Sequence, residues 1–195
     1  MSARLILLVL AAGLAGCAGT SAQDGSSPPR ANAAWRNSLG EATFVTLVPG
    51  ETQSFRITPE QQTFGFPEGI SYFVGIALPR SDTPRTLTLR TVVDDPLRRR
   101  DAHVFVPRVA IVGPDGKAAR YVELEFQPSI RRAYLVNYAG WEGSLTLYSG
   151  ETRLVVYTST LLPQTMRVPE PTEPGGYWYV RSGPTGTVEI TLSKD

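Results

Sequence analysis

From Ala34 onward, large apolar residues recur at every second position or in short continuous runs, a spacing that predicts strands rather than helices. Phe44, Thr46 and Val48 alternate with other residues before Pro49-Gly50, and Phe55 and Ile57 do so before Thr58-Pro59. Thr86-Leu87-Thr88-Leu89-Arg90-Thr91-Val92 keeps a period of two, the pattern of a strand with one face buried. Residues 70–78 are instead apolar almost throughout and end at Pro79, which predicts a strand buried on both faces. Residues 104–112 read as another such run, and Gly113-Pro114-Asp115-Gly116 as the turn carrying it into residues 121–126. Further runs occupy 133–138, 144–148, 153–160, 177–181 and 187–192. No stretch keeps a long helical stripe, although residues 31–39 have room for two helical turns and 60–62 for one. About ten short strands separated by Gly/Pro turns predict an all-β fold, an antiparallel, jelly-roll-like β-sandwich, with a closed barrel as the alternative. The Pro/Glu/Gly stretch at 169–176 interrupts the pattern, but strands resume after it, so it reads as a surface loop within one domain spanning 34–195.

Composition narrows the class. The chain has 195 residues, 42% hydrophobic and 19% charged, with a formal charge of +1, so it lacks the basic excess expected of a nucleic-acid-binding protein. One cysteine excludes an internal disulfide, and with one histidine there are too few ligands for a Cys/His zinc site. The domain is long enough to bury roughly 70% of its unfolded surface without either staple. Seventeen of the 19 basic residues are Arg, read first as a compositional bias.

The first segment is read as targeting. Arg4 precedes an apolar run from Leu5 to Leu14 that is too short to span a membrane and has the order of a secretory signal peptide, residues 1–16. Leu14-Ala15-Gly16-Cys17 resembles the lipobox of bacterial lipoproteins, which implies acylation of Cys17 and cleavage before it. Loss of Arg4 would leave 18 basic and 18 acidic side chains, so lipid rather than charge would do the anchoring. In such lipoproteins Ala18 after the cysteine implies the outer membrane, with the domain facing the periplasm. Residues 17–33 are rich in Gly, Ser, Ala and Pro and read as a disordered, flexible tether with a mean reach of roughly 20–24 Å.

Several strings within the domain are similar to a known family. Gly69-Ile70-Ser71 with the run to Leu78-Pro79, Leu87-Thr88-Leu89, the string from Val104 to Val112, and Leu154-Val155-Val156-Tyr157-Thr158-Ser159 before Leu162-Pro163 resemble the maltose operon periplasmic protein (MalM-like) family. The resemblance implies an envelope protein associated with maltose or maltodextrin uptake genes, a β-sandwich body and no established enzymatic role.

Candidate chemistry is sparse. His103 has no Gly-x-Ser-x-Gly elbow to serve as its nucleophile, and no calcium loop occurs. Glu123 and Glu125 would share a strand face at a spacing suited to paired glycosidase acids, but Val122, Leu124 and Phe126 make a solvent-facing edge the simpler reading. Arg98-Arg99-Arg100 forms a candidate anion-binding loop, set against self-pairing with Asp94, Asp95 and Asp101. Trp141, in a Gly140-Trp141-Glu142-Gly143 stretch read as a turn, and Tyr177, Trp178 and Tyr179 are candidate sugar-stacking residues. Strand alternation allows either the two tyrosines or Trp178 to face outward, not all three. The expected protein is a non-catalytic, lipid-anchored sugar-binding accessory without cofactor or metal. The alternative is an interaction lipoprotein docking on another envelope protein through a sheet edge.

Overall fold

A strand apolar at nearly every position must find cover on both faces, and the fold is organised around strands of this kind. The computed structural model describes residues 29–94, 102–133, 136–159, 165–169 and 176–194. In chain order the strands are β1 (Phe44–Thr46), β2 (Thr52–Ile57), β3 (Gln62–Phe66), β4 (Gly69–Ala77) and β5 (Arg85–Asp94). Next come β6 (His103–Val104), β7 (Pro107–Val112), β8 (Ala118–Val122), β9 (Gln127–Ala133) and β10 (Val136–Leu147). The last four are β11 (Arg153–Thr158), β12 (Thr165–Pro169), β13 (Tyr177–Ser182) and β14 (Gly186–Leu192).

They form two sheets of an all-β sandwich. One runs β8-β7-β11-β4, with β1 and β3 sharing the far side of β4. In the other, β2, β14, β5, β10 and β9 lie side by side, and β6, β13 and β12 extend it from the last residues of β5. Fourteen strands among the described residues exceed the expected ten partly because the apolar run at 104–112 divides: β6 belongs to the second sheet and β7 to the first. The pairs β1–β4 and β6–β13 are parallel, so the sandwich is mixed rather than wholly antiparallel.

Burial explains the two sequence patterns. Tyr72, Val74 and Ile76 of β4 and Leu154 and Val156 of β11 form one core with Leu87 and Leu89 of β5, Leu145 and Leu147 of β10, and Val188, Ile190 and Leu192 of β14. Phe73 of β4 and Val155 and Tyr157 of β11 face the other way, into a second cluster with Leu39, Phe44, Phe64 and Phe66. β4 and β11 are therefore covered twice and read as continuous apolar runs. β14 alternates buried and half-buried positions because its outer face meets water. There Thr52 and Thr191 hydroxyls lie 2.7 Å apart, and those of Thr88 and Ser144 3.0 Å apart. Each fully buried Leu, Ile or Phe contributes roughly 1.5–3 kcal/mol, so the central core dominates stability.

The cover over the first sheet is the segment preceding β1, and it is not the two-turn helix expected at 31–39. Asn32 donates from Nδ2 to the carbonyls of Pro59 and Gln61, and its Oδ1 accepts from the Thr63 hydroxyl at 3.0 Å and the Ala34 amide at 2.9 Å. These bonds, with a parallel bridge between Trp35 and Thr63, compete with helical pairing. One 3-10 turn remains at Leu39–Glu41, capped by the Ser38 hydroxyl. The predicted turn at 113–116 forms, with Gly116 at φ 76°, and its Gly116 carbonyl receives the Gly40 amide and the Ser38 hydroxyl, both at 3.0 Å.

The stretch Gly140-Trp141-Glu142-Gly143 is not a turn but the middle of β10. Its glycines make room: a Cβ on Gly140 would stand 3.3 Å from the Arg90 guanidinium and 2.2 Å from the Thr91 carbonyl oxygen, and one on Gly143 would meet Phe126 at 3.2 Å. Trp141 between them is buried, at 4% exposure, so it cannot act as an exposed sugar platform.

A candidate ligand-binding face on β12 and β13

The Tyr177-Trp178-Tyr179-Val180 alternation settles into one register. Trp178 and Val180 point inward and pack with Val93, Val104, Val106, Trp141 and Val168 in a third apolar cluster. Tyr177 and Tyr179 consequently point outward, 50% and 69% exposed. Trp141 and Trp178 thus do meet, as packing partners beneath the surface. β12 lies antiparallel to β13 with Arg167 opposite Tyr179, and Thr165, opposite Arg181, is exposed. The Arg167 guanidinium reaches diagonally to lie 3.1 Å from the Tyr177 ring centroid. Arg181 is exposed two residues beyond Tyr179, and its backbone pairs with His103 of β6. His103 Nε2 is 3.2 Å from the Thr185 hydroxyl, part-buried beside this sheet. The outcome is a solvent-facing strip of two phenol rings and two guanidinium groups, stiffened from behind by a tryptophan.

The other expected residues divide. Cys17 and Arg98-Arg99-Arg100 lie outside the described residues. Glu123 and Glu125 are exposed on either side of buried Leu124, just past the end of β8, and Glu123 is held by Arg108 Nη2 at 2.8 Å. Arg108 also donates from Nη1 to Glu68 at 3.0 Å, and the Tyr157 hydroxyl donates to Glu68 Oε2 at 3.2 Å. Burial first, then the charge of Glu68, raises the Tyr157 phenol far above its usual range, so it stays a donor. Phe66 stacks on Tyr157 with centroids 3.7 Å apart. This cluster joins the β3–β4 turn to β7, β8 and β11. Its charged members and Tyr157 are separated by 15 or more residues, and no local motif announces it.

A second feature absent from the sequence reading is a cleft of about 660 Å³ where the β4–β5, β7–β8 and β10–β11 connections converge, lined by Arg80, Asp82, Gly113, Glu151 and Arg153 among others. Glu151 is already engaged, by Arg120 Nε at 2.8 Å, Arg120 Nη2 at 2.9 Å and the Tyr148 amide at 2.8 Å. Burial raises its carboxyl, but these hydrogen bonds outweigh that and hold it below the usual carboxylate range. Arg153 donates to the Gly113 carbonyl at 3.2 Å, so the cleft walls mostly serve one another. Among the described residues, no three His, Cys, Asp or Glu side chains converge in a way that would hold a metal ion. Comparison with protein-family models, with curated proteins and with solved structures finds no match to this chain.

Proposed function

We propose that this protein is a lipid-anchored, periplasm-facing accessory of the bacterial outer membrane that binds a glycan through Tyr177 and Tyr179 and carries out no catalysis. The observation that carries the reading is the exposure of both rings on one strand face while Trp178 fixes that strand from beneath. Flat rings held at a set spacing, roughly 6.6–6.8 Å along a strand, suit the C–H faces of successive sugar units. Anchoring rests on Leu14-Ala15-Gly16-Cys17 and the Gly/Ser/Pro-rich tether, and the association with maltose or maltodextrin uptake rests on the MalM-like strings. Docking on an envelope protein is a second reading favoured by β8, which pairs only with β7 among the described strands and exposes Tyr121. Isothermal titration of the mature protein with a panel of neutral and acidic oligosaccharides, malto-oligosaccharides included, tests the proposal. Saturable binding that Tyr179→Ala weakens supports it; no heat with any glycan at millimolar concentration overturns it in favour of docking.

A further inference from the structure

The charge on the β12–β13 face carries the reading further. We infer that the glycan this face selects is acidic, a saccharide chain bearing carboxylate, sulfate or phosphate groups, rather than a neutral one; the inference rests on the glycan-binding reading above. Recognition of neutral sugar hydroxyls needs acceptors as well as donors, which carboxylate and amide side chains supply. β12 and β13 contain no Asp, Glu, Asn or Gln. What they present is Arg167 and Arg181, each with five N–H donors and no acceptor. Neither forms an ion pair or hydrogen bond with a described residue, in contrast to Arg108 and Arg120, whose guanidinium groups are committed to carboxylates.

The surplus is local. A chain whose formal charge is only +1 gathers on one short face two guanidinium groups that no described carboxylate holds, beside exposed Tyr177 and Tyr179. Arg167 is further held against Tyr177, so part of the entropy of ordering a long side chain is already spent before a ligand arrives. Rings that receive the apolar face of a sugar and forks that donate to its oxyanions are then adjacent along one strand pair, with Arg167 opposite Tyr179.

The test uses the mature lipidated protein in non-ionic detergent, titrated separately with maltohexaose, with an oligogalacturonate of the same length and with glycerophosphoglycerol, the soluble headgroup of an anionic phospholipid. The oligogalacturonate should bind about tenfold more tightly than maltohexaose, the size of one charge-assisted hydrogen bond. That preference should shrink as ionic strength rises from about 0.05 M to about 0.5 M. Arg167→Gln with Arg181→Gln should remove the preference, Arg167→Lys with Arg181→Lys should keep part of it, and Tyr179→Ala should weaken both sugars alike. All these side chains are exposed, so unchanged melting temperatures are expected and serve as the folding control. Equal affinity for both sugars, or an acidic preference indifferent to the arginine changes, overturns the inference while leaving glycan binding in place. Binding to neither sugar overturns both readings, and binding of the soluble headgroup alone, lost in Arg167→Gln with Arg181→Gln, assigns the face to lipid headgroups instead.

Discussion

At the scale of single residues, stability turns on contacts that the local sequence does not display. Gly140→Ala would drive a methyl to 2.2 Å from the Thr91 carbonyl oxygen, a backbone atom that cannot swing aside. The expected loss is about 2 kcal/mol or more, read from the midpoint of chemical denaturation. Gly150→Ala poses a different problem, since nothing lies within 4 Å of its Cβ but φ is 82°. There the cost should be about 1 kcal/mol, from the left-handed backbone alone. A larger loss at Gly150 than at Gly140 would mean the close packing at β10 is wrong. The glycines at 140 and 143 suggest a turn in sequence because a mid-strand glycine that admits a neighbour looks the same there as one that bends the chain. Arg167 was equally hidden, since its place beside Tyr177 follows from cross-strand register and not from spacing along the chain.

At the scale of elements, the alternation of Tyr177, Trp178 and Tyr179 was fully legible, while the choice of outward face depended on the apolar cluster waiting on one side. Trp141→Ala should therefore cost about 3–5 kcal/mol by opening that cluster, whereas Tyr179→Ala should change stability by about 0.5 kcal/mol or less. Differential scanning calorimetry of the two variants separates the roles directly. The strands β4 and β11 were legible for the same reason that β14 was: cover on two faces or on one writes itself into hydrophobic pattern. Ion pairs between elements leave no such trace. Arg120 on β8 holds Glu151 of the β10–β11 turn and also donates to the Thr146 carbonyl at 2.9 Å, so it ties the two sheets together. With Arg120 31% exposed, Arg120→Ala should cost only about 0.5–1 kcal/mol. The Glu151 carboxyl lies below its ordinary value in the folded state, so the pair contributes in full above the unfolded carboxyl's range and fades as pH falls through the lower folded value. The difference between wild type and Arg120→Ala, measured by denaturation at about pH 7 and again in acid, should accordingly shrink at the acid end, leaving only what the Thr146 carbonyl bond contributes.

For the whole molecule, the proposed lipid anchor would carry a β-sandwich domain that exposes Tyr177 and Tyr179 on one face. Near the start of the described residues, the Asn32 side chain makes three hydrogen bonds to the β2–β3 connection and Thr63, which tie the chain entering the domain to its body. Cys17→Ser should abolish membrane retention, scored by detergent partition, while the melting temperature of the β-domain stays unchanged; a fall in melting temperature would show that the fold depends on the segment before Asn32. The central claim is that Tyr177 and Tyr179 are held outward for a ligand rather than for the fold. The most direct measurement is the paired determination of glycan affinity and melting temperature for Tyr177→Ala combined with Tyr179→Ala. Glycan affinity should be lost, with the melting temperature within about 2–4 °C of wild type, the shift expected for roughly 1 kcal/mol in a domain of this size. Undiminished affinity, or a collapse in stability accompanying its loss, would contradict the account.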